Sequence, residues 1–270
     1  MSSKDDAKKW VYEKLNSGMG YFYSIDDEII SVQTPYQKAR LVTTSAFGRA
    51  LLIDDITQVT ERWEYRYHEP LVHPALLAHP CPERVLLIGG GDGGALREIL
   101  RHTTVSRVDF AELDEDVVAF SREYLSHIHQ GSFSDPRVHN VFGDGRKHVE
   151  ASPGTYDVII MDMTDPAGPS RFLYTKEFFA AVRAALRNED GLFSMHSESP
   201  VARPAAFSCI EKTLDSVFTH TAVSTVFVPM YGTLWSYRYA GMKHNPSEID
   251  PETVSSRIAD RMTSVPQLVN

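Results

Sequence analysis

VLLIGGGDGGALREILRH, residues 85–102, carries the plan of a nucleotide-type α/β unit in one stretch. An apolar run of strand length leads directly into GGGDGG, and a helix-forming segment follows from about Gly94. Strand, glycine turn and helix in that order let the backbone approach a ligand closely. The glycine pattern alone also fits a structural turn, so the acid inside it matters more. In dinucleotide enzymes the helix N-terminus at this place attracts a pyrophosphate, which the carboxylate of Asp92 would repel. The loop therefore disfavours NAD and favours a cationic ligand.

Downstream of this unit, strands continue to alternate with helical segments: VDFAEL and EDVVAFSREYLSHI, VHNVFG and RKHVEA, YDVIIMDM and TKEFFAAVRAAL, GLFSMHS and AAFSCIEKTLDSVF. Such alternation predicts a parallel, doubly wound sheet. Upstream, the stretch from Glu64 to Ala78 reads as a connecting helix stopped by Pro80 and Pro82. Between about residues 20 and 60 the segments EIISVQT, KARLVTTSA and RALLIDDITQVTE are short, β-branched and bounded by Gly, Pro or Asp, as in antiparallel hairpins. Residues 1 to about 9 are polar and expected to be loose. The expected division is a β domain over 1–68, a Rossmann-like catalytic domain over 69–245 and a tail over 246–270 holding one helix.

Four carboxylates stand where predicted strands end: Asp92, Glu112, Asp144 and Asp162. Ligands of open α/β sheets settle beyond the carboxyl ends of the strands, so these acids are expected to share one cavity. Glu112 lies about 20 residues past the glycine loop, the spacing at which an acid accepts from ribose hydroxyls; a solvated strand-end acid is the other reading, since Asp114 and Glu115 follow closely. Asp144 suits either an exocyclic amine of adenine or a helix N-cap beside Gly145. Asp162 ends the most apolar strand, and Asp165 follows before PAGPS, a turn-rich segment with the composition of a lid. A like-charged pair there calls for a positively charged ligand, unless both acids serve as turn and cap residues.

The bulk numbers agree with a cationic ligand. The 270-residue chain has a net charge of −9, which argues against a nucleic-acid partner, because that binding needs basic patches. Cys81 and Cys209 are the only cysteines, so neither a disulfide framework nor a cysteine zinc site is expected. With no signal-like N-terminus and no apolar run near the roughly 20 residues of a spanning helix, a cytoplasmic protein without membrane contact is expected. His127 and His129 flank one residue but lack a matching acid and histidine set, so no metal site is expected. His73, His79 and His102 read as structural or surface residues.

Taken together, SVQTPYQKARLV, FGRALLIDDITQVTER, YHEPLVHPALLAHP, VLLIGGGDGGALREILRH, AELDEDVV, GDG, YDVIIMDMTDPAGPS and LYTKEFF closely resemble the polyamine aminopropyltransferases, the spermidine synthase family, over about residues 20 to 240. The resemblance implies a sheet of the S-adenosylmethionine-methyltransferase type and a homodimer or homotetramer. It implies decarboxylated S-adenosylmethionine as co-substrate, with no separate cofactor, and a di- or polyamine as acceptor. On the donor side it implies Gln37 and His68 nearby, Asp92 on the aminopropyl ammonium, Glu112 on the ribose and Asp144 on adenine, with Gly89, Gly91 and Gly145 in the donor-binding loops. It implies Asp162 as general base, Asp165 as an acceptor anchor and Tyr67 lining the reacting centre, with putrescine as the expected acceptor and 5'-methylthioadenosine released. Ordinary S-adenosylmethionine carries an extra carboxylate that Asp92 and Asp162 would repel.

Several positions depart from the family pattern. Trp63 stands in TERWEYRYHE where many relatives have an acid, and either contacts an acceptor ammonium, shortens the channel, or simply packs. His196 stands where relatives commonly carry Gln, with Glu198 close behind as a possible amine ligand; a neutral hydrogen-bonding imidazole is expected. Tyr231 in VPMYGTLWSY is one residue nearer Trp235 than in the family's PTYPSGxW arrangement and is taken as an acceptor contact. The tail lacks the HxAxFxLP-like segment of many relatives. Spermidine, agmatine or cadaverine remain alternative acceptors, and a methyltransferase or a noncatalytic polyamine-binding protein remain alternative classes.

Overall fold

A computed structural model of the chain describes residues 9–166 and 168–269. The loose terminus expected over residues 1 to about 9 lies almost wholly outside the described residues, and so does Ala167 of the PAGPS segment. The chain opens with a hairpin of β1 (Lys9–Lys14) and β2 (Gly20–Ile25), paired antiparallel. A four-stranded antiparallel meander follows: β3 (Asp27–Gln33), β4 (Lys38–Thr44), β5 (Gly48–Ile53) and β6 (Ile56–Thr60). Residues 10–19 had suggested no element, yet β1 forms, because Val11 is buried with Tyr23, Val42 and Leu52 between the two small sheets. Burial against another sheet is what stabilises a hairpin too small to stand alone.

Helix α1 (Tyr65–Ala78) then leads to β7 (Arg84–Gly89), α2 (Gly94–Leu100), β8 (Arg107–Glu112), α3 (Glu115–Tyr124), α4 (Ser126–His129), β9 (Val138–Phe142), α5 (Gly145–Glu150), β10 (Val158–Asp162), α6 (Lys176–Ala185), β11 (Leu192–His196), α7 (Pro204–Asp215), β12 (His220–Val228), β13 (Thr233–Gly241) and α8 (Pro251–Arg261). The seven-stranded sheet runs in the order β12-β13-β11-β10-β7-β8-β9. Strands β11, β10, β7, β8 and β9 are parallel. In the central strands β7 and β10 nearly every residue is buried, as expected where helices cover both faces.

The sheet departs from an all-parallel arrangement at one edge. Strand β13 pairs antiparallel with β11, and β12 pairs antiparallel with β13. Gly232, at φ 63°, supplies the left-handed residue that lets the chain reverse between them. The connection holds only a single 3-10 turn over Pro229–Tyr231, too short for the crossover helix a parallel return needs, so the second strand must return beside the first. The single helix expected in the tail is α8, capped by Asp250, whose carboxylate accepts from Thr253 N at 2.7 Å.

Beneath α1 and α2, His73 and His102, expected to be structural or surface, are buried and joined through their ring nitrogens at 2.9 Å. Glu98 faces His73 at 2.9 Å and Arg101 at 2.5 Å, while Glu69 accepts from the backbone of Gln267 and Leu268 in the tail. This network ties the C-terminal segment to the catalytic layer. Among the described residues no helix is long and apolar enough to cross a membrane.

Candidate active site

The sheet changes direction of winding between β7 and β10, so the crevice for a ligand opens beyond Gly89 and Asp162, which are paired residues at the ends of those strands. The glycine loop runs through that crevice between two acids. A Cβ on Gly90 would stand 3.1 Å from Asp162 Oδ2, and one on Gly91 would stand 3.3 Å from Glu112 Oε2. At Gly89, φ is 76° and a Cβ would collide with the Asp162 carbonyl at 2.1 Å. Only a residue without a side chain fits there.

Asp92 turns back onto its own helix start, accepting from Gly94 N at 2.7 Å. His68, on α1, packs its ring against the same point and holds Nε2 3.5 Å from Asp92 Oδ1. Its Nδ1 meets Glu64 Oε2 at 2.6 Å, and Glu64 is in turn held by Arg97 at 2.9 Å. Burial opposes a charge on His68, but the carboxylates of Asp92 and Glu64 outweigh it and push the imidazole up to about 10. Burial likewise works against ionised Asp92, yet His68 and the Gly94 amide keep it below the usual carboxylate range. His68, Asp92 and Asp162 offer ligand atoms within 4.8 Å of one another. With Asp92 and Glu64 on its two ring nitrogens, His68 supplies a positive charge to these acids.

Asp162 is pushed the other way, up to about 6, by burial and by the charge of Asp92. Tyr67 Oη donates to Asp162 Oδ1 at 2.8 Å and partly offsets that rise. The Tyr67 ring is fixed among Tyr231 and Tyr237, each at a centroid distance of 5.8 Å. Tyr231 thus stands beside the reacting end of the crevice, and its hydroxyl donates to Gln58 O at 2.8 Å. The like charge nearest in effect to Asp162 is Asp92 and not, as the spacing of DMTD suggested, Asp165.

Glu112 is raised to about 7, first by burial, with the charges of Asp114 and Asp162 adding to it. Gln37, from the turn before β4, reaches across to Asp114 and donates to its Oδ2 at 3.0 Å. Thr34 donates to the same oxygen at 2.7 Å, while Asp114 Oδ1 caps α3 by accepting from Val117 N at 3.3 Å. Asp114 therefore locks the four-stranded sheet onto the end of β8. The exposed Asp144 caps α5 through Oδ1, which accepts from Arg146 N at 2.9 Å. A Cβ on Gly145 would lie 2.8 Å from Ile88 Cγ2, so glycine is what lets α5 start this close to β7.

At the other end of the crevice Asp165 is not bare. Its Oδ2 accepts from Arg203 Nη1 at 2.6 Å, and the same nitrogen reaches Glu198 Oε1 at 3.0 Å. Glu198 is fully buried, adopts a left-handed φ of 68°, and is raised to about 7 by burial and by Asp165, against the pull of Arg203. His196 Nε2 lies 2.7 Å from Met163 O and 2.9 Å from Tyr174 Oη. Since a carbonyl only accepts, Nε2 carries the proton, and burial keeps the ring neutral by lowering its pKa. Trp63 sits in the turn just before α1. It is exposed at φ 75°, and its described ring contacts are Tyr65 and the guanidinium of Arg66, 5.6 Å away.

Sequence reasoning passed over Glu64, Arg97, Asp114, Tyr174 and Arg203. Asp114 carried a readable signal, an acid three residues before Val117 at a helix start. The others gain their roles only by meeting partners distant in sequence.

An open, mostly parallel α/β sheet with a glycine loop and acids at its rim defines a Rossmann-like fold of the methyltransferase type. Residues 64–251 match the spermine/spermidine synthase domain, and residues 9–61 match the spermidine synthase tetramerisation domain. The polyamine aminopropyltransferase of Thermoanaerobacter sp. (strain X514) is 37% identical over 246 residues, covering 91% of this chain and 88% of that protein. Polyamine aminopropyltransferase 1 of Bacillus anthracis is 37% identical over 244 residues, covering 90% of this chain and 88% of its own length. A crystal structure of spermidine synthase with the transition-state analogue AdoDATO superposes with a TM-score of 0.89 at 35% identity, covering 96% of this chain and 87% of that one. Spermidine synthase from Thermotoga maritima gives 0.84 at 33%, covering 97% and 92%. The chain belongs to the spermidine synthase family of polyamine aminopropyltransferases.

Proposed function

We propose that the protein transfers the aminopropyl group of decarboxylated S-adenosylmethionine to putrescine, giving spermidine and 5'-methylthioadenosine. The observation that carries this reading is Asp162: a carboxylate at the switch point of the sheet, held by Tyr67, close in effect to Asp92 and Glu112, in a crevice suited to cations. In this reading Asp92 receives the donor's ammonium, Glu112 its ribose and Asp144 its adenine. Gly89, Gly91 and Gly145 keep side chains out of its way, and Gln37 and His68 hold the surrounding acids in place. Tyr67, Tyr231, Asp165 and Glu198 line the acceptor side, with Trp63 at its outer margin.

The neutral amine attacks the carbon beside sulfur; a C–N bond forms, the C–S bond breaks, and its electron pair neutralises the sulfonium. The proton lost from nitrogen goes to Asp162. An alkylammonium titrates near ~10.4 and an ordinary carboxylate near ~3.9, a mismatch of about six units. With Asp162 pushed up to about 6 the mismatch narrows to roughly four units. The donor's sulfonium and partial desolvation lower the amine's own pKa and close more of it. Alignment of nitrogen, carbon and sulfur supplies much of the remaining rate.

The match of residues 9–61 to a tetramerisation domain supports a homodimer or homotetramer. Incubation with decarboxylated donor and putrescine, cadaverine, agmatine or spermidine tests the reading by product analysis. Methylthioadenosine with spermidine is expected. Formation of S-adenosylhomocysteine from S-adenosylmethionine, or no thioether with any amine, would overturn it.

A further inference from the structure

The far end of the crevice already contains a cation. Arg203 Nη1 bridges Asp165 at 2.6 Å and Glu198 at 3.0 Å, and its Nε donates to Leu15 O at 3.0 Å. The guanidinium is thus pinned from three sides, the third being the loop between β1 and β2. Asn16 of the same loop donates to Ala202 O at 2.9 Å, which fixes the backbone next to it. Helix α7 starts directly after Arg203, whose donor-only guanidinium cannot cap it. Its side-chain polar contacts therefore run to the acids and the hairpin loop, while the helix start makes no demand on it.

We propose that Arg203 is a specificity-determining residue of the acceptor site, standing where a second acceptor ammonium would otherwise sit between Asp165 and Glu198. The inference rests on the aminopropyl-transfer reading and names what that site selects. Two carboxylates and one guanidinium leave one negative charge among these three residues. A diamine attacks through a neutral nitrogen and brings one ammonium, which that charge matches. A triamine brings two, and the second finds its counter-ions occupied and the space between them filled by the arginine side chain. Glu13, whose carboxylate accepts from the amide and hydroxyl of Thr57 on β6, bears on Asp165 in wild type and variants alike, so it is common to both sides of this comparison. Specificity of this kind works by placing like charge against the wrong ligand.

The test compares wild type with R203Q, R203M and R203K at about pH 8.5, above the value of about 7 for Glu198, so that this carboxylate is ionised. Rates with putrescine and spermidine are measured, and the affinity of each amine is measured separately by calorimetry. Wild type and R203K are expected to favour putrescine. In R203Q and R203M the ratio of spermidine to putrescine, in kcat/KM and in affinity, is expected to rise at least about tenfold. An unchanged or falling ratio in the neutral variants, or a wild type that prefers spermidine, would overturn the proposal. If neither amine is turned over by wild type, the transfer reading falls by itself, and the affinity ratio still decides the role of Arg203. Should one neutral variant fail to fold, the other and the wild-type preference give the answer.

Discussion

Replacing Tyr67 by Phe removes one hydroxyl group from the reacting centre and little else. The ring contacts with Tyr231 and Tyr237 at 5.8 Å survive, while the 2.8 Å bond to Asp162 is lost. A hydrogen bond to an ionised group contributes about 1.5–3 kcal/mol, and one pKa unit is ~1.36 kcal/mol, so the loss corresponds to roughly one to two units. Asp162, now raised to about 6 by burial and Asp92, should then titrate around 7–8. His68 does not blur the window, because Asp92 and Glu64, overcoming its burial, hold it charged up to about 10. The assay is single-turnover transfer at saturating amine across pH 5.5–9.5 (about half-unit steps), comparing variant with wild type so that the amine's own titration cancels. For a shift of about 1.5 units the ionised fraction at pH 6.5 falls about eightfold, while the two proteins converge above about pH 9. An acid limb that stays in place, or a loss that is equal at every pH, would refute the assignment of that limb to Asp162.

Asp162→Asn should lower turnover by about 10²–10⁴-fold with donor affinity changed by less than about threefold, as expected for loss of a proton acceptor; equal turnover would remove Asp162 from the mechanism. Asp92→Asn should weaken decarboxylated donor and narrow its advantage over S-adenosylmethionine by at least about tenfold, since one of the repelling charges is gone; an unaltered preference in competition binding would contradict this. Gly94→Ala puts a Cβ 2.2 Å from His68 Cε1, a contact expected to destabilise the fold by about 1–3 kcal/mol in urea titration. Wild-type stability would there mean that His68 moves freely. Asp162, Glu112 and Glu198 are raised, chiefly by burial, to about 6, 7 and 7. Their contribution to folding is full below the ordinary carboxylate range and is lost as pH rises through 6–7 (roughly), so a cationic ligand should raise Tm more at about pH 8 than at about pH 5.5. A putrescine-induced shift of equal size at both would count against acids that need a cation.

Much of this was legible because it is local. Apolar runs followed by Gly or Asp mark β7, β8 and β10 with their rim acids, and loop-to-helix chemistry marks the start of α2. Glycines at 89 and 91 belong to that loop pattern, although the atoms that exclude a side chain there come from Asp162, Glu112 and Val117, distant in sequence. Less legible was β1, whose burial depends on a second sheet, and the antiparallel β12–β13 edge, where periodicity gives no strand direction. Trp63 was read toward the acceptor from its place in the family pattern, while its described ring contacts are with Tyr65 and Arg66.

The amino-acid sequence by itself determined which carboxylates stand at strand ends, because a strand end is set by neighbours within a few residues. Tertiary structure alone decided their charge states and partners: Asp92 against His68, Gln37 on Asp114, and Asp165 with Glu198 around Arg203. Charge interactions and desolvation depend on distance through space, and residues 38 apart in the chain, such as Asp165 and Arg203, acquire a distance of 2.6 Å only when the strands that precede them, β10 and β11, pair side by side.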